Sequence, residues 1–173
     1  MEIMIIVLLL ASLLGVWILS VRRRLQTQEE NIRNAMHQTL VQLAAERDAL
    51  ERLMELLENA MDTDSFRRMK HSLEMVQNGT EAQLPEWVAE QQRELLNVQK
   101  KIAEISKTMP LLQTQETYQK YWKAAKSYGH MVETSGLIYN DSVESYNRTL
   151  HRIPDGIAAG ICGFHRKKII EIL

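Results

Sequence analysis

One cysteine, Cys162, is all the chain contains, which excludes an internal disulfide framework and a cysteine metal cluster. Proline, at three, and glycine, at seven, are sparse too. Neither occurs between Gly15 and Gly79, so no strong helix breaker falls in that stretch. Charge of either sign is not in excess: the net value is −1, and no electrostatic case for nucleic acid arises. The signatures of catalysis are missing too. There is no glycine-rich phosphate loop, no His-Glu-x-x-His and no Ser-His-Asp context. The histidines at 37, 71, 130, 151 and 165 are not paired at the spacing of helix-borne metal ligands. A di-metal bundle needs Glu-x-x-His pairs, whereas Glu133 and Glu144 stand isolated. The carboxylates have Lys and Arg neighbours, as on a solvated helix surface. No catalytic residue, no metal ligand and no cofactor is therefore expected, and the protein is read as not an enzyme.

What is present begins with residues 3–21, an uncharged apolar run that stops at Arg22, Arg23 and Arg24. At 1.5 Å per residue such a run rises roughly 28 Å, enough to cross a hydrocarbon core. In lipid the helix is favoured because an open backbone finds no partner there. A cleavable signal would carry its basic residues before the core and a small-x-small site after it. Here Glu2 precedes the core and the arginines follow it, which fits an uncleaved span. The same three arginines place the N-terminus outside and the body in the cytoplasm of an inner (plasma) membrane protein. Trp17 fits an interfacial anchor, and Ala11 with Gly15 makes a small-x-x-x-small pair, which is common by chance.

Residues 25–152 are rich in Ala, Leu, Glu, Gln, Lys and Arg, a helical composition of single-domain size. Ile32, Met36, Leu40, Leu43, Leu50, Met54, Leu57 and Met61 step by three and four, interrupted only by Arg47. That spacing predicts an amphipathic, coiled-coil-like helix continuing directly from the span. Asp62, Thr63 and Asp64 supply cap chemistry, and a second helix is expected over residues 65–77, ended by Asn78 and Gly79. Pro85 opens a third helix, with Val88, Gln91, Leu95, Val98, Ile102, Ile105 and Met109 on one face and a break at Pro110. The last helix, residues 113–151, carries all five tyrosines on its seam. Gly129 and Gly136 weaken its middle and suit a kink or a close crossing. These seams are too narrow to be stable alone. The fold expected is all-α: a single transmembrane helix followed by an up-and-down antiparallel four-helix bundle with long helices. Three sections result, an anchor over 1–24, a bundle over 25–152 and a tail over 153–173.

The tail is too short to cross a bilayer and too apolar to lie free in water. Ile157, Ile161 and Phe164 beside Arg166, Lys167 and Lys168 offer an apolar contact with a basic fringe, suited to an anionic membrane surface. Packing on the base of a neighbouring subunit, or on its own bundle, stays open at this point.

The last helix and tail also resemble a known family. Tyr139-Asn140, Val143, Tyr146-Asn147, Pro154, Ile157-Ala158, Gly163-Phe164 and the basic run that follows are similar to the C-terminal signature of the LemA family. Val41-Gln42-Leu43, Asp48, Leu53 and Met54 resemble a second family segment more weakly. The chain departs from the family pattern around Met36, Ala45, Glu46, Glu51 and Gly129 to Val132, as a divergent member would. The resemblance implies a membrane-anchored bacterial helical bundle and supplies no catalytic residue. The function expected is a non-catalytic interaction or scaffold protein. Its partners would be membrane lipid and a second copy or another membrane protein, with no nucleic acid. An adaptor in envelope stress or membrane proteolysis is the alternative, ahead of a metal-dependent bundle enzyme.

Overall fold

A computed structural model describes residues 1–58, 61–75 and 84–171. All six elements among them are helices: α1 (Glu2–Leu57), α2 (Thr63–Met75), α3 (Pro85–Lys107), α4 (Pro110–Gln113), α5 (Glu116–His151) and α6 (Asp155–Ile161). The expected all-α bundle with a long apolar N-terminal helix is what the chain forms. The predicted span and the predicted first bundle helix are one unbroken α1. This follows from 63 consecutive positions, residues 16–78, that lack both glycine and proline.

The chain forms two compact units. The first comprises residues 1–34 and 139–169, and the second residues 35–138 and 170–173. In the second, the apolar seams bury one another. Leu43, Leu50, Leu53, Met54 and Leu57 of α1 share a core with Met69 and Leu73 of α2, and with Leu95, Val98 and Ile102 of α3. Leu112 of α4 and Tyr118, Ala125 and Val132 of α5 complete it. Burying an aliphatic side chain of this size contributes about 1.5–3 kcal/mol, and the narrow stripes stay helical because they share that burial.

Helix ends follow local chemistry. The Asp62 carboxylate accepts the Ser65 amide at 2.8 Å, capping α2, and hydrogen bonding to the Ser65 side chain, with that amide bond added, holds its pKa below the usual carboxylate value. Pro85 is the first residue of α3, where its missing N–H costs nothing. The break expected at Pro110 is present, but a short helix, α4, fills it and α5 begins at Glu116 rather than at residue 113. Another short helix, α6, forms in the predicted tail. The expected stop at Asn78 and Gly79 lies outside the described residues.

Candidate functional site

Two groups of residues carry chemistry beyond ordinary packing, one in each unit. The first is the C-terminal signature. Tyr139, Val143 and Tyr146 lie on the buried face of α5, and the segment after α6, which has no regular secondary structure, returns to that helix. Two side chains hold it there. The Tyr139 hydroxyl donates to the Lys168 carbonyl at 2.9 Å. Asn147 donates through Nδ2 to the Lys167 carbonyl at 2.9 Å and accepts the Lys167 amide on Oδ1 at 3.0 Å. The amide thus imitates one rung of a β-ladder, satisfying both backbone groups of a single tail residue. Asn140 is half-buried and also engaged.

Tyr146, which is completely buried, is tied to α1. Its hydroxyl donates to Glu29 Oε1 at 3.3 Å, and Lys167 Nζ reaches the same oxygen at 2.9 Å. The ammonium also lies 5.7 Å from the Tyr146 ring centroid. Burial, with the Glu29 charge and hydrogen bond added, pushes the Tyr146 phenol up to about 12. It stays protonated at neutral pH and acts as a tie. Gln28 Nε2 donates to the Thr149 hydroxyl at 3.3 Å one turn further along.

The turn of the tail is made by the rest of the signature. Pro154 precedes α6, and Ala158 with Ala159 forms its buried side. A Cβ on Gly156 would collide with the Leu150 carbonyl oxygen, so only glycine lets α6 fold back so closely. Gly163 has φ +77, a left-handed conformation that other L-residues adopt only with strain. There the chain leaves α6, with the Gly163 amide donating to Gly160 and the Phe164 amide to Ala159. Arg24 pairs with Asp155 at 3.5 Å, fixing the start of α6 beside the basic flank of the apolar run. Arg22 and Arg23 are exposed.

The sequence suggested one contact built from Ile157, Ile161, Phe164, Arg166, Lys167 and Lys168, and the fold divides that set. Ile157 and Ile161 are exposed, but Phe164 is half-buried. Lys167 is occupied by Glu29, and Arg166 bonds His151. Packing on its own helices, one of the readings left open, thus describes Lys167 and the alanine side of α6 but leaves Ile157 and Ile161 bare.

The second group was missed from sequence. The expectation that carboxylates lie on solvated faces fails at Glu46, which is 1 % exposed. Neither of its carboxylate oxygens has a hydrogen-bond partner. Desolvation alone lifts its pKa from 4.5 to about 7. Gly129 leaves it room, since a Cβ there would lie 3.0 Å from Glu46 Oε1. This is the close crossing that the glycines suggested. The signal is in the sequence: Glu46 stands three residues after Leu43 and four before Leu50, in phase with the seam. Gln91 Oε1 is buried without a partner as well. Among the described residues no three His, Cys, Asp or Glu groups converge as a metal site.

The features together define an all-helical protein with an apolar N-terminal helix and a tail strapped to its last long helix by Tyr and Asn side chains. Residues 18–172 match the LemA family, and the chain belongs to it. No curated protein matches the chain.

Proposed function

We propose that this protein is a membrane-tethered, non-catalytic interaction protein, with its N-terminus outside the plasma membrane and its helical body in the cytoplasm. The observation that carries the reading is in α1. Its apolar stretch has a mean hydropathy of 2.8 over an 18-residue window, and none of that window is buried by the rest of the chain. A face so apolar and so bare needs a cover, and lipid supplies one along the whole length. The charge asymmetry of Arg22, Arg23 and Arg24 against Glu2 supports the orientation. The long helices that follow present a surface for a second copy or another membrane protein. Capture of the tagged full chain from detergent-solubilised membranes, followed by mass measurement of the intact complex, tests this. A homo-oligomer, or a stoichiometric membrane protein that is neither an enzyme nor a transporter, is the outcome expected. A single enzyme or transporter at fixed stoichiometry would turn the reading toward an adaptor. A purely monomeric protein with no companion would overturn it.

A further inference from the structure

We propose that α6 is an interfacial helix, lying with its isoleucine face in the anionic inner leaflet of the same bilayer that α1 crosses. The proposal rests on the anchor reading and adds a second point of membrane contact. α6 is two-sided: Ala158 and Ala159 are 0 % and 2 % exposed, while Ile157 and Ile161 are 60 % and 71 % exposed. Residues 157 and 161 are one helical turn apart, so both isoleucines lie on one side of α6. Two large aliphatic side chains on one face of so short a helix make a local apolar surface.

Its location decides the occupant. The Arg24–Asp155 pair holds the first residue of α6 beside the arginine cluster that ends the apolar run. For a run that crosses the hydrocarbon, that cluster marks the headgroup level. The isoleucines are therefore held at the height where an amphipathic helix enters a leaflet. The charges agree. Arg22 and Arg23 precede Arg24 on α1, and Arg152 lies just before α6, all of them exposed. Asp155, the acid of α6, is already paired with Arg24. A basic rim around an apolar face is the complement of anionic lipid. It does not suit a second copy of the same face, which would set arginine against arginine.

The test uses the full chain with Cys162→Ser, reconstituted into vesicles of mixed anionic and neutral phospholipid. Single cysteines are introduced at Leu10, Ile157, Ile161 and Lys123, and each carries a spin label. Collision with a water-soluble nickel chelate and with oxygen is then read, and far-UV circular dichroism checks folding of each variant. The expected result is loss of chelate access and gain of oxygen access at 157 and 161, as at 10, with 123 open to the chelate. Arg22→Glu with Arg23→Glu, or purely neutral lipid, should restore chelate access at 157 and 161 while leaving 10 protected. Chelate access at 157 and 161 equal to that at 123, with 10 protected, overturns the docking of α6 and leaves the anchor intact. Protection that grows with the protein-to-lipid ratio assigns the face to a second copy and also overturns it. An unprotected Leu10 overturns the anchor and the docking together.

Discussion

Glu46 makes the stability of the body depend on pH in the direction opposite to most carboxylates. Its pKa in the folded protein is about 7 against 4.5 when free, because burial penalises the ionised form and no cation compensates. Between those two values the folded chain keeps a proton that the unfolded chain has lost. Stability is then fully present below the lower value, falls as pH rises through the window, and levels off above the higher one. A shift of this size corresponds to about 3 kcal/mol, a large share of a typical domain's stability. Urea unfolding of the detergent-solubilised full chain, followed by Trp fluorescence at several pH values, measures the slope. Glu46→Gln should flatten that slope, since the amide cannot titrate. Glu46→Met should flatten it and raise stability at neutral pH, because an apolar side chain of similar volume has no charge to desolvate. The same pH slope in wild type and in Glu46→Gln would refute the reasoning. It would mean that the carboxylate is solvated or paired in solution.

Leu43→Asp or Ile102→Asp places an unpaired charge in the shared core and should cost several kcal/mol, whereas Leu137→Asp on an exposed face should cost little; thermal melts by circular dichroism compare them. Asn147→Ala removes both bonds to Lys167 and should cost about 1–3 kcal/mol, with faster hydrogen exchange at the Lys167 amide and new tryptic cleavage in the basic run. Gly163→Ala forces a Cβ into the left-handed region and should cost about 1 kcal/mol, read as a lowered melting temperature.

The fold was legible wherever one period governed a long segment. Ile32 to Leu57 and Tyr118 to Tyr146 repeat every three or four residues with no breaker strong enough to end the helix, so α1 and α5 followed from sequence. Asp62 and Pro85 marked helix starts because capping is local chemistry. The short α4 and α6 were not legible: four and seven residues are too few to show a period, and both are held by what they pack against. The signature residues could be named from the chain, but not their task. That Asn147 pairs with the backbone of Lys167, twenty residues on, depends on how the chain returns after Gly163. Glu46 reads as surface because Arg47 and Asp48 follow it, unless its helical phase with Leu43 and Leu50 is counted.

The proposed placement of the body on the cytoplasmic side is tested most directly by protease shaving of spheroplasts. A tag at the C-terminus should survive protease until the membrane is permeabilised, and Arg22→Asn, Arg23→Asn and Arg24→Asn together should make a fraction of it accessible. Degradation of the tag in unpermeabilised spheroplasts carrying the unmutated protein would contradict that placement.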